Sequence, residues 1–89
     1  MDLMVRCTPV DGGHSCEVQV AEGTSATRHI VRVKAYDLDR WGAGRSAEDL
    51  VRRSFDFLLA REAKESILRE FDLSVIQRYF PEYESAIRC

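Results

Sequence analysis

A change of period at Gly42-Ala43-Gly44 constrains this chain more than any other feature. Before the glycines, apolar residues recur at every second position; after them they recur at helical spacing. Side chains alternate faces along a strand, whereas a helix gathers i, i+3 and i+4 on one side, so the two halves need different backbones. Leu3, Val5 and Cys7 alternate with Met4 and Arg6 as in a strand with one buried face. Pro9 cannot donate to a ladder, which puts this strand at an edge or ends it. Asp11-Gly12-Gly13 is a hairpin turn, since glycine accepts the positive φ such turns need. Cys16, Val18 and Val20 then alternate with Glu17 and Gln19, Glu22-Gly23-Thr24-Ser25 reverses the chain, and a third strand is expected from Thr27 to Tyr36. The reading is a three-stranded antiparallel meander.

Asp37 to Trp41 is expected to form one helical turn. Ser46 opens the strongest element, with Glu48 and Asp49 where acidic groups suit a helix N-terminus. Leu50, Val51, Ser54, Phe55, Leu58 and Leu59 follow the helical period, Phe57 widens the stripe, and Glu48, Arg52 and Asp56 form the opposite face. The stripe exceeds what one small sheet covers, which points to a second packing surface. Ala63, Ile67, Leu68 and Phe71 predict another helix over 64–71. Ser74 with Gln77 reads as a capping box opening a third, which carries Val75, Ile76, Tyr79 and Phe80. Pro81 starts a last turn whose buried side is Tyr83, Ala86 and Ile87. The expected fold class is therefore α+β, a three-stranded antiparallel meander followed by two or three α-helices packed on one face. Residues 1–89 are read as a single domain, with 1–41 β-rich and 46–89 helical.

Eighty-nine residues support one core. Size scaling gives roughly 5,300 Å² of folded surface, about a third of what the extended chain exposes. Thirteen basic and fifteen acidic residues leave a net charge of −2, against broad electrostatic binding to nucleic acid or membrane. No apolar run is long enough for a membrane-spanning helix, and Met1 to Arg6 lacks the basic and apolar regions of a signal peptide. Cys7, Cys16 and Cys89 are an odd set without the spacing of a secreted scaffold, so reduced thiols and a cytoplasmic location are expected.

Ser54 to Glu84, SFDFLLAREAKESILREFDLSVIQRYFPEYE, resembles a group of small prokaryotic proteins that share this C-terminal stretch. Ser54-Phe55, Phe57-Leu58-Leu59, Arg61-Glu62, Ser66-Ile67-Leu68, Phe71-Asp72-Leu73, Ile76 and the run Arg78 to Tyr83 carry the likeness. It spans about a third of the chain, and Tyr79-Phe80-Pro81-Glu82-Tyr83 is its most specific part. Proline takes the place of Ala63 in that pattern, so the boundary between the first two helices is softer here. The resemblance implies a packed helical half and no activity.

No constellation of residues carries chemistry. Cys7, His14, Cys16 and His29 are the residue types of a zinc site, yet eight residues separate the two strand cysteines rather than two to four. Buried thiols and exposed imidazoles are the plainer reading. His14 and Cys16 share a strand face, but a thiol enzyme also needs an orienting group and an oxyanion site. The carboxylates fall on solvated helix faces, and the glycines form neither a GxxxxGK[ST] nor a GxGxxG loop. The chain is therefore expected not to be an enzyme and to need no cofactor.

The expected function is contact with a partner protein or with a second copy of the chain. Phe57, Leu58, Tyr79, Phe80 and Tyr83 are the candidate surface, although aromatic residues at helical spacing also serve as core. Trp41 is read as a lid over the core edge or an interface anchor, and a free strand edge offers a further pairing site. The alternative is a dimeric ribbon-helix-helix DNA regulator, in which His29 to Lys34 pairs across the dimer and directs Arg32 and Lys34 into the major groove. A helix-turn-helix over 64–80 would expose only Gln77 and Arg78 on its reading helix. Neither half of the chain is basic, with six basic and six acidic groups before residue 46 and seven and nine after it.

Overall fold

A computed structural model describes residues 1–88. Cys89, expected as a reduced thiol, lies outside the described residues. Three strands, β1 (Asp2–Val10), β2 (Gly13–Glu22) and β3 (Ser25–Lys34), form an antiparallel meander, as their alternation dictates. Asp11 and Gly12 make the first turn, with Gly12 at φ 80°, and Gly23 at φ 60° opens the second. Gly13 is required for a different reason: a Cβ there would lie 2.0 Å from the Val33 carbonyl oxygen. The same turn fixes where β3 stops, because the Gly12 carbonyl accepts from the Ala35 N–H at 2.8 Å. Thus β3 ends at Lys34, two residues earlier than its apolar pattern suggests. The predicted single turn is the longer helix α1 (Ala35–Gly42), which closes on Ala43 in the left-handed region.

Helix α2 (Ala47–Leu59) begins where expected, capped by Ser46, whose Oγ accepts from the Asp49 N–H at 3.1 Å. Its buried stripe runs Ala47, Leu50, Val51, Ser54, Phe55, Phe57 and Leu58, with Glu48, Arg52 and Asp56 in solvent. This stripe packs on the face of the sheet formed by Cys16, Val18, Val20, Val31 and Val33. The opposite sheet face carries the polar residues of the alternation and stays open to solvent, so the core is one layer thick. Total accessible surface is 5299 Å², in line with one well-closed core of this size.

Beyond α2 the helical expectation fails over 64–71. The chain makes a single 3-10 turn (Lys64–Ser66), extends, and adds a short strand β4 (Glu70–Asp72) parallel to β3. The sheet therefore has four strands, in the order β1-β2-β3-β4, and it is mixed rather than purely antiparallel. Strand β4 satisfies the outer edge of β3, whose backbone groups would otherwise lack partners within the sheet. Ile30 N–H donates to the Arg69 carbonyl (2.8 Å) and Leu73 N–H to the Arg32 carbonyl (2.9 Å). Phe71 still reaches the core, but from a strand. Lys64, at the start of the 3-10 turn, is 4% exposed and lies between Glu65 (2.6 Å) and Glu22 (3.6 Å).

Two short helices complete the chain, α3 (Ser74–Tyr79) and α4 (Tyr83–Ile87). Asp72, rather than a Ser74–Gln77 box, holds the start of α3: its Oδ1 accepts from the Ser74 N–H (3.1 Å) and hydroxyl (2.8 Å). Gln77 reaches Glu84 instead, at 2.7 Å. Tyr83 and Ile87 are buried as expected, whereas Ala86 is exposed. No helix among the described residues is long and apolar enough to cross a membrane.

Candidate functional site

An apolar groove of about 360 Å³ opens between the end of α2, the segment leading into β4, and α3. Its floor is core: Leu58, Ile67, Phe71 and Ile76 are each at most 5% exposed. Val75 and Phe80 form half-buried walls, with Glu62 and Ser66 at the rim. The two most exposed apolar side chains of the site are Leu68 (51%) and Tyr79 (70%).

Local geometry explains why Leu68 is outside. Its carbonyl is drawn inward by His29, whose Nδ1 N–H donates to it at 2.7 Å. In the neutral ring with Nδ1 protonated, Nε2 accepts from the Thr27 hydroxyl at 2.9 Å, so both ring nitrogens are used. His29 is 1% exposed and packs against Phe55 at 5.3 Å between centroids. Burial lowers its pKa below the ordinary histidine value, against the opposing pull of the Leu68 carbonyl. Ile67 and Phe71 take the core positions on either side, and the Leu68 side chain is left at the groove mouth.

The five candidate interface residues separate into two groups. Leu58, Tyr79 and Phe80 line the groove. Phe57 and Tyr83 belong to the core, which agrees with Tyr83 on the buried side of the last turn and corrects the reading of both as interface residues: Phe57 is 9% and Tyr83 0% exposed. They form an aromatic chain, with Phe57 edge-on to Phe80 (5.8 Å) and Tyr83 (5.3 Å), and Tyr83 edge-on to Trp41 (5.1 Å). Tyr83 donates to Ser54 Oγ at 2.7 Å, because the Ser54 hydroxyl itself donates to the Leu50 carbonyl at 2.8 Å. Trp41 is fully buried, and Arg40 covers it at 3.8 Å while binding Asp37 at 2.9 Å. The α2 stripe is broad because it packs against α1 and α4 as well as the sheet. Leu68, Val75, Ile67 and Phe71 are groove residues the sequence did not mark. All but Val75 fall in the segment that reads as a helix, where Leu68 would share the buried face.

The other candidate groups are taken up structurally. Cys7 and Cys16 face each other across β1 and β2 and form a disulfide, which overturns the expectation of reduced thiols and leaves neither the zinc quartet nor the His14–Cys16 pair a free thiolate. His29 is buried rather than exposed. Arg32 and Lys34 do point to the open sheet face, but Arg32 meets Glu70 at 2.8 Å and Lys34 meets Asp72 at 3.6 Å. Strand β3 has β2 on one side and β4 on the other, so it has no free edge for the cross-dimer pairing of a ribbon-helix-helix protein. The first helix of the helix-turn-helix reading is absent, replaced by the 3-10 turn and β4. No group of three or more metal-ligating residues lies together among the described residues. No protein-family model matches the chain, and no curated protein or solved structure matches it.

Proposed function

We propose that this chain is a small non-catalytic interaction domain whose groove receives an apolar side-chain cluster from a partner protein. One observation carries the reading: Leu68 and Tyr79 stand exposed along a cleft whose floor is the core itself. Apolar surface gathered around a concavity gains on contact, at roughly 1.5–3 kcal/mol for each large side chain fully covered. Tyr79 suits such a rim, since its ring is covered while its hydroxyl stays wet. Glu62 at the edge adds a polar boundary, the usual anatomy of a contact patch.

A photo-crosslinking amino acid at position 79 tests this in living cells. A discrete adduct is expected, and it should disappear when Leu68→Asp or Val75→Asp is added while the fold, followed by circular dichroism, is kept. An adduct indifferent to both substitutions, or none at all, overturns the proposal. Kinship with the small prokaryotic proteins that the C-terminal stretch resembles belongs to the same proposal. So does the compartment, for which the disulfide counts against the cytoplasm: a Cys7–Cys16 bond persists where conditions are oxidising.

A further inference from the structure

The sheet ends on one side at β1, whose pairing with β2 fixes the direction of its backbone groups. Antiparallel pairs alternate between a wide hydrogen-bonded spacing and a close one without mutual bonds, near 4.5 Å. Cys7 and Cys16 are 4.0 Å apart at Cα, the close kind. The N–H and C=O groups of Cys7, and by alternation those of Val5 and Leu3, therefore point away from β2. Arg52 supports this independently, because its Nη1 donates to the Leu3 carbonyl at 3.1 Å from outside the sheet. Pro9 continues the outward series without an N–H, which confines any pairing to the stretch before it.

We propose that two copies of this chain join β1 to β1, antiparallel about a two-fold axis at Met4, so that the sheet runs continuously through a homodimer. Paired residues must lie on the same sheet face, so the axis passes through a residue position and only a few registers exist. With Met4 at the axis, Leu3 of each copy exchanges backbone hydrogen bonds with Val5 of the other. Met4, 62% exposed, then meets its own counterpart. Asp2 stands opposite Arg6 of the second copy, twice by symmetry. Neither Asp2 nor Arg6 makes an ion pair among the described residues, although both are exposed on the open face. An axis at Val5 sets Arg6 against Met4 and Asp2 against Thr8, and an axis at Arg6 opposes two like charges. Cross-strand charge pairing therefore selects the Met4 register. The Leu3 carbonyl retains a second lone pair for the bond while Arg52 holds the first. The surface is separate from the groove, so either can fail alone.

Sedimentation velocity across a micromolar concentration series tests the dimer. Arg6→Asp and Asp2→Arg are each expected to weaken it by about tenfold through like-charge opposition, and the double swap to restore it. Amide exchange supplies a readout that needs no substitution: the Val5 N–H is unprotected in a monomer and becomes protected as the dimer forms. A monomer at all concentrations overturns the proposal. So does a dimer that ignores the charge swaps or leaves Val5 unprotected, a result that would move self-association to another surface.

Discussion

The His29 imidazole and the Leu68 carbonyl, 39 residues apart, are joined by a 2.7 Å hydrogen bond inside the core. That contact fastens the segment before β4 to the sheet and turns the Leu68 side chain out to the groove mouth. Burial of the same ring makes stability depend on pH. The unfolded imidazole takes up a proton near pH 6.5, while the folded ring resists it because burial lowers its pKa. Below about pH 6.5 the unfolded state therefore binds more protons, and stability falls with pH until the folded-state pKa is passed. Urea denaturation between about pH 5 and pH 8 should show this slope. His29→Gln should flatten it and lower stability throughout.

Tyr83 gives the opposite sign at the alkaline end. Burial pushes its hydroxyl up to about 12, and the ionised form cannot donate to Ser54. The unfolded tyrosine ionises near pH 10, so stability is full below that value and falls as pH rises from about 10 to 12, by roughly 2–3 kcal/mol. Tyr83→Phe should cost about 1 kcal/mol at neutral pH and remove most of the alkaline loss. Thermal melts of both proteins at a few alkaline pH values measure it.

The first hairpin separates two glycine requirements. At Gly13 an added methyl collides with the Val33 carbonyl, whereas at Gly12 it meets open space and suffers only the positive φ. Gly13→Ala is expected to cost roughly 3 kcal/mol or more, since backbone must move. Gly12→Ala should cost only about 1–2 kcal/mol. Equal losses in chemical denaturation would mean that β2 does not approach β3 as described.

Removing the cross-strand disulfide returns chain entropy to the unfolded state. Nine residues of separation correspond to roughly 2–3 kcal/mol of lost chain entropy in the unfolded state. The double variant Cys7→Ala with Cys16→Ala should unfold at correspondingly lower denaturant while keeping its circular dichroism spectrum. A thiol count on the purified protein, before and after reduction, checks that the bond is present.

Local rules account for much of this molecule. Alternation in Leu3 to Cys7, Cys16 to Val20 and Val31 to Val33 determined three strands with one buried face. Glycine chemistry determined the turns between them, and the Ser46 cap with its 3.6-residue stripe determined α2. Each is legible because neighbours a few residues apart carry the signal. The segment over 64–71 is different: Ala63, Ile67, Leu68 and Phe71 fit a helix as well as they fit extended chain. The decision went to β3, whose open edge offered hydrogen bonds and a buried histidine some forty residues away. Residues of the same type in neighbouring turns met different fates for a similar reason. Tyr83 is sealed by Trp41, Ser54 and Phe57 from earlier in the chain, whereas Tyr79 stands in solvent. Sequence period determined which side chains can share a face; the long-range pairing of backbone determined which faces exist and which were left uncovered.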